Sequence, residues 1–313
     1  MPTKPLELLL NRDISKAAAR EVIKIASPLL QELINYGTNV FARSQDSAKG
    51  GPDEDLAVLQ LYLHILEMVD GIEVLVGQCC ITPTVPLLRS SFEALLGINY
   101  ILDPKGDYTQ RSLSWIVGYS HNRIKVTEGY ISTTQQGKEL RDYLLDEVEL
   151  TLEPVIDIKA GERIDNLKKL LSQKKFEVIE TEYQNLKISR RGDLNWYSLF
   201  GGPKNLRELA LAVGKKSQYI MFYKDWSEIT HAEDMRFLSK NSDGTPAFNP
   251  LRNWEKLNEL SKASSQAARF SLEATRLILK KFRPGEEESL AAWYKNEIQL
   301  GYHQLMRLSG ESK

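Results

Sequence analysis

Two polar residues stand out in an otherwise apolar stretch of the sequence. Arg89 and Glu93 are four residues apart, so on a helix they would share one face and be partly buried. A buried arginine must be paired or must face a binding site. The pair is therefore either an ion pair that orients neighbouring helices, or an anion site in which Glu93 holds Arg89 against a phosphate.

A second group of polar residues follows the same helical spacing. Tyr223, Ser227 and His231 are four residues apart, and each step of four advances only about 40° around a helix, so the three share one face. His231 can act as an acid, a base or a hydrogen-bond donor near neutral pH. Glu233 and Asp234 follow closely and could orient its ring. His231 is either a structural histidine bonded to a neighbouring helix or a catalytic or ligand-binding one.

The segment from 187 to 216 combines basic and aromatic residues. Basic groups interleaved with aromatic rings are typical of surfaces that bind a nucleic-acid backbone and stack its bases. The alternative is a solvated face with a hydrophobic plug beneath a long loop. The predicted nucleic-acid-binding residues are Lys187, Arg190, Arg191, Trp196, Arg207, Lys215 and Lys216.

Other familiar chemistry is missing from the sequence. It has no dinucleotide fingerprint, no nucleophile elbow and no paired-cysteine motif, and its four histidines are widely spread. We therefore predict no metal site and no cofactor. The only two cysteines, Cys79 and Cys80, are adjacent, which favours a reducing, intracellular setting.

The elements that carry these residues are all predicted to be helices. Apolar residues recur with a 3.6-residue period, and proline or glycine marks the breaks. We predict an all-α, multi-helix bundle of about nine or ten helices with no significant sheet. Pro28 should kink or split the first helix, and Pro154 should stop the fifth. The predicted helical ranges are 14–41, 52–81, 87–102, 108–132, 135–152, one or two helices within 158–183, 204–213, 215–231, 251–282 and 286–308.

The composition is that of an ordinary globular protein. Lys and Arg total 41 against 42 Asp and Glu, 42% of residues are hydrophobic and 27% are charged. These values exclude a collagen, a disordered tail, a disulfide scaffold and a generic histone-like binder of nucleic acid. No stretch reaches the roughly 18 apolar residues of a membrane span, and the first residues lack the layout of a signal peptide. We predict a cytoplasmic protein without a membrane partner.

Two motifs resemble a known family. The sequence LLRSSFEA at 87–94 is similar to the R-S-x-[FY]-E-A helix of a bacterial family, domain of unknown function 5677. The run NLRELA at 205–210, followed by the Tyr-Ser-His spacing, resembles that family's second hallmark. The resemblance covers roughly 56–238 and implies an all-helical intracellular bacterial protein with no established activity. It also implies that the characteristic polar positions are Arg89, Glu93, Tyr223, Ser227 and His231.

The resemblance also shapes the predicted domain organisation. We predict a single helical domain over 1–313, with N-terminal helices at 1–50, a family-like core at 53–240 and long C-terminal helices at 251–313. A looser analogy is to the helical HEPN ribonucleases, whose motif places a histidine four to six residues after an arginine. That spacing is absent here, so Arg89 and His231 would have to converge from separate helices.

Three functions remain open from the sequence, and whether the protein is an enzyme is open with them. The first is a metal-independent, RNase-like or other phosphodiester-acting effector, in phage defence or a toxin system by resemblance. In it, His231 is the acid or base, Arg89 stabilises phosphate charge, and Tyr223 or Ser227 positions the substrate.

The second function is a non-catalytic interaction or sensor module. In it, the polar residues are buried and mutually bonded, and the C-terminal helices mediate dimerisation or docking to a protein partner. The third is a binder of a small anionic, nucleotide-like ligand. The predicted partners are accordingly RNA or a nucleotide, and a second copy of the chain or another protein.

Overall fold

The computed structural model describes residues 10–49, 53–152, 154–189, 194–231, 238–240, 243–248, 252 and 257–310. Every described element longer than three residues is helical, so the predicted all-α class is confirmed. The described residues also include a short hairpin of two antiparallel strands of three residues each, β1 (Leu238–Lys240) and β2 (Pro246–Phe248). The periodicity of the sequence predicts no strand in this part of the chain.

The chain divides into two compact units, Met1–Asp103 with Ala210–Lys313, and Pro104–Leu209. We call the first the outer unit, because its two segments flank the other in the sequence, and the second the inner unit. A single domain is predicted from the sequence, and this prediction and the predicted internal boundaries stay predictions. Among the described helices of both units, none is both long and apolar enough to cross a membrane.

The first half of the outer unit contains four helices. They are α1 (Arg12–Ala18), α2 (Arg20–Ala48), α3 (Glu54–Gly77) and α4 (Thr84–Ile101). Pro28 does not split the helix, because it lies inside α2 and the chain breaks at Ala19 instead, while a kink at Pro28 stays a prediction. Leu29 and Leu30 beside the proline are buried. Packing of this apolar face keeps the helix continuous despite the missing N–H donor.

The second half of the outer unit is also helical. It contains α10 (Lys216–Gln218), a π turn (Tyr219–Tyr223), α11 (Lys224–Thr230), α12 (Leu257–Phe282), α13 (Glu287–Trp293), a second π turn (Tyr294–Ile298) and α14 (Gln299–Ser309). The π turns divide two continuous helical runs, so the segments outnumber the nine or ten helices predicted. Helix α12 packs against α2, α3, α4 and α14, and the core side chains Tyr62, Phe92 and Phe270 are fully buried.

The inner unit is built on one long helix and its neighbours. It contains α5 (Tyr108–Glu128), α6 (Gln135–Asp146), α7 (Pro154–Leu171) and α8 (Glu177–Ser189), with 3-10 turns at Lys174–Phe176 and Trp196–Gly201. Helix α9 (Leu206–Ala212) carries the chain across the unit boundary. The expectation that Pro154 stops the preceding helix is wrong, because Pro154 begins α7. Proline suits a first helical position because its missing N–H needs no partner there.

Candidate functional site

Two helices of the outer unit, α4 and α11, pack together and position the predicted polar residues. Phe92 of α4 is buried, and its ring contacts the edge of Trp226 of α11 at a centroid distance of 6.3 Å. The rings of Phe92 and Tyr223 lie 6.2 Å apart. These aromatic contacts hold the polar stripe of α4 beside the first turn of α11.

Four of the predicted residues form one hydrogen-bonded group, which we call the polar cluster: Arg89, Glu93, Tyr223 and His231. Arg89 Nε donates to Glu93 Oε1 and to Tyr223 Oη, each at 3.0 Å. Tyr223 Oη donates to Glu93 Oε1 at 2.7 Å. Arg89 Nη1 lies 3.2 Å from His231 Nε2. Residues 142 positions apart are thus in direct contact.

The electrostatics of the cluster favour a charged arginine and a neutral phenol. Burial raises the pKa of Tyr223, and its hydrogen bond to the Glu93 carboxylate raises it further. Partial burial alone would lower the pKa of Arg89, but Tyr223 and Glu93 together raise it above its ordinary value. The guanidinium carbon also lies 4.9 Å from the centre of the Tyr223 ring, a cation–π distance. Arg89 therefore keeps its positive charge, which is paired with the Glu93 carboxylate within the cluster.

His231 is the solvent-facing end of the cluster. It follows the last residue of α11, its backbone N–H donates to Ser227 O at 3.0 Å, and its side chain is exposed. Since Arg89 can only donate, the contact at 3.2 Å requires an unprotonated Nε2 that accepts, with the ring proton on Nδ1. Glu233 and Asp234, proposed to orient this ring, lie outside the described residues.

Ser227 lies on α11, four residues after Tyr223 and four before His231, and is half-buried. In the described part of the chain, no hydrogen bond joins its hydroxyl to Arg89, Glu93, Tyr223 or His231. Its predicted role in positioning substrate stays a prediction.

The predicted nucleic-acid-binding residues belong to different parts of the molecule. Arg190 and Arg191 lie outside the described residues. Lys187, Trp196 and Arg207 belong to the inner unit, and Lys215 and Lys216 to the outer unit. Lys215 is mostly buried and bonded to Glu273 at 2.6 Å, whereas Lys216 is exposed. The structure thus assigns Lys215 to an ion pair within its own unit.

The inner unit holds a cavity of about 960 Å³. Lys187, Trp196 and His121 line it. His121 Nε2 lies 2.8 Å from Glu180 Oε2, and its ring stacks on Tyr183 with centroids 4.0 Å apart. His121 is therefore a member of a bonded group that is separate from the polar cluster.

Two neighbours of the polar cluster were missed in the sequence analysis. Tyr219 stacks on Tyr223 with ring centroids 4.9 Å apart, and His64 Nε2 lies 2.7 Å from the Oγ of Ser90, which follows Arg89 on α4. The spacing of four between the two tyrosines is a signal that could have indicated the first contact. His64 stands alone in an apolar helix, and only the fold relates it to Ser90.

Within the described ranges, no group of three or more His, Cys, Asp or Glu side chains is placed to hold a metal ion. The model of a family described as "Family of unknown function (DUF5677)" matches residues 55–245. No curated protein and no solved structure matches the chain.

Proposed function

Because this chain belongs to the DUF5677 family, whose function is unknown, we propose a function from the polar cluster itself: cleavage of RNA phosphodiester bonds without a metal ion. The observation that carries the proposal is the 3.2 Å contact between Arg89 Nη1 and His231 Nε2. A fixed cation and an unprotonated imidazole nitrogen at one point are the two groups needed to bind a phosphate and to remove a proton beside it.

The proposed reaction uses the 2′-hydroxyl of the RNA as the nucleophile. A substrate phosphate enters between Arg89 and His231 and accepts the Nη1 hydrogen bond, which leaves Nε2 free to accept from the 2′-hydroxyl. His231 takes that proton as the bond from 2′-oxygen to phosphorus forms. The bond from phosphorus to the 5′-oxygen breaks, and the leaving oxygen takes a proton from water. The products are a 2′,3′-cyclic phosphate and a 5′-hydroxyl.

The other two cluster residues hold Arg89 in position. Glu93 accepts from Arg89 Nε, and Tyr223 accepts from the same nitrogen while donating to Glu93. The Nε edge of the guanidinium is thereby occupied, and the edge with Nη1 is directed at His231. Preorganised charge of this kind lowers the barrier because it needs no rearrangement as the phosphate gains negative charge.

Exposure supports this function over that of an interaction module. The module requires Arg89, Glu93 and His231 to be buried together. His231 is exposed, and 41% of the Glu93 side chain is accessible. A substrate can reach the cluster from solvent. The cytoplasmic location, a role in phage defence or a toxin system, and self-association stay predictions.

The test is RNA cleavage by the full chain in the presence of a chelator. We expect wild type to cut single-stranded RNA but not the matching DNA, which has no 2′-hydroxyl, and to leave cyclic phosphate ends. His231→Ala should lower the rate by at least about 100-fold, the smaller contribution typical of a general base. Arg89→Ala should lower it similarly, and Arg89→Lys should lose less because the charge remains.

His303→Ala is the matched control, because His303 is also exposed but lies on α14. Its rate should equal that of wild type. Circular dichroism and urea unfolding would establish that each variant is folded. An undiminished rate in folded His231→Ala, or no cleavage of an RNA that wild type binds, would contradict the proposal.

A further inference from the structure

The cavity of the inner unit has the chemistry of a ligand site. Both aromatic and cationic side chains line it. Some of these side chains are exposed, so the cavity is accessible from solvent. Trp115 and Tyr119 of α5 are stacked with ring centroids 5.6 Å apart, and 48% of Tyr119 is accessible. Trp196 enters from the 3-10 turn that follows α8. The cavity thus offers flat aromatic faces on which a planar ring can stack.

The wall around Trp196 is closely fitted. Gly118 of α5 faces it, and a Cβ atom added to Gly118 would lie 2.7 Å from the Trp196 Cβ. A side chain at 118 would therefore displace the indole ring. Glycine at this point allows the turn at Trp196–Gly201 to approach α5 closely.

The charges that line the cavity are predominantly positive. Three lysines line it, Lys125 from α5, Lys168 from α7 and Lys187 from α8. Lys168 and Lys187 are exposed, and neither forms an ion pair with another residue of the described ranges. The two acids are Glu128 and Glu180.

One of those two acids is already occupied. Glu180 accepts from Gln184 at 2.7 Å and is bonded to His121 through both oxygens, at 2.9 and 2.8 Å. Both of its oxygens are therefore engaged by side chains of the wall. An anionic group that enters the cavity meets three ammonium groups against two carboxylates.

We propose that this cavity binds a nucleotide, with the base stacked on the aromatic wall of Trp115, Tyr119 and Trp196 and the phosphate held by Lys168 and Lys187. Stacking accepts any base, so the site selects the nucleotide as a class rather than one sequence. The nucleotide is either free in solution or a unit of single-stranded RNA. This inference does not rest on the proposed cleavage reaction, because it concerns residues that the reaction does not use.

Binding of AMP to the full-length His231→Ala variant tests the proposal without interference from cleavage. AMP has no phosphodiester bond between nucleotides, so this measurement and the cleavage assay can fail independently. We expect AMP to quench tryptophan fluorescence, since Trp115 and Trp196 line the cavity, and calorimetry to give one site. Adenosine and inorganic phosphate, each lacking half of the contacts, should bind at least about tenfold more weakly.

Two pairs of variants locate the site. Lys168→Glu should weaken AMP binding at least about tenfold. Its control is Lys169→Glu, because Lys169 is the next residue on the same helix and is exposed but does not line the cavity; this variant should change the affinity for AMP less than about twofold. Tyr119→Ala should weaken AMP binding by about tenfold, the cost of one lost stacking contact. Tyr143→Ala is its control, since Tyr143 is 57% exposed on α6 of the same unit.

A short single-stranded RNA separates the two sources of the nucleotide. Competition between the RNA and AMP would show that one site takes both, and binding of AMP alone would show that the site takes free nucleotides. Both outcomes support the proposal. It is overturned if AMP binds equally to Lys168→Glu and Lys169→Glu, if inorganic phosphate binds as tightly as AMP, or if neither AMP nor RNA binds to the folded protein.

Discussion

The hydrogen bond from Tyr223 Oη to Glu93 Oε1 ties α11 to α4, and its strength can be measured directly. At 2.7 Å it is a short bond to an ionised acceptor. The perturbation is a double-mutant cycle of Tyr223→Phe, which removes only the hydroxyl, and Glu93→Ala, which removes the acceptor. The cycle reports the coupling between the two groups rather than the cost of either truncation.

The structure sets the expected size of this coupling. A hydrogen bond to a charged partner contributes about 1.5–3 kcal/mol to stability. Tyr223 is 8% exposed, which favours the upper end, but 41% of the Glu93 side chain is accessible, so water competes for the carboxylate. We expect a coupling of about 1.5 kcal/mol. Tyr223→Phe alone should lower the free energy of unfolding by about 2 kcal/mol, because the hydrogen bond from Arg89 is also lost.

The assay is urea unfolding of the four proteins at pH 7, with the free energy of unfolding extrapolated to water. A control cycle replaces Tyr223→Phe with Tyr219→Phe. Tyr219 stacks on Tyr223 but shares no hydrogen bond with Glu93 in the described structure, so its effect and that of Glu93→Ala should add. A Tyr223–Glu93 coupling below about 0.5 kcal/mol, the usual limit of additivity, would refute the geometry of the polar cluster.

Two further predictions concern stability. Burial raises the pKa of Tyr62 above the ordinary value of 10.0, so the native phenol keeps its proton where the unfolded one loses it. Stability should therefore fall as pH rises above about 10. Urea unfolding at several pH values should show a shallower fall in Tyr62→Phe. The control Tyr143→Phe, at an exposed tyrosine, should show the same fall as wild type. Gly37→Ala should lower the free energy of unfolding by about 1–3 kcal/mol, because the added Cβ would lie 2.5 Å from Leu66 Cδ2. Gly77 has open space around it, so Gly77→Ala should not lower this free energy. Equal unfolding free energies of the two variants would contradict this packing.

Local spacing in the sequence accounts for much of the polar cluster. The four-residue step from Arg89 to Glu93 predicts their pairing, because helix geometry alone brings such residues together. The contact between Arg89 and His231 has no local signature, since it depends on how α4 packs against α11. It could be stated only as a requirement of the catalytic hypothesis, and the structure places the two side chains 3.2 Å apart.

The errors in the fold have a similar origin. Proline propensity predicts a kink or split at Pro28 and a helix end at Pro154. Tertiary packing keeps α2 continuous through Pro28, and Pro154 occupies a favourable first helical position. The division into two units is not readable from periodicity either, because the chain crosses between them within helix α9. The aromatic and basic residues of 187–216 form a single group in the sequence, but they belong to both units.

The π turn at Tyr219–Tyr223 accommodates one residue more than an α-helical turn. It closes with an i→i+5 hydrogen bond where an α-helix uses i→i+4, so deleting one residue between the two tyrosines would leave a regular helix. The residues after the turn would keep nearly the same orientation, and Tyr223 and His231 would still face Arg89. A chain with one residue fewer in this turn should therefore keep the polar cluster. A deletion within α11, which is regular and has no extra residue to lose, would instead rotate His231 by about 100° away from Arg89.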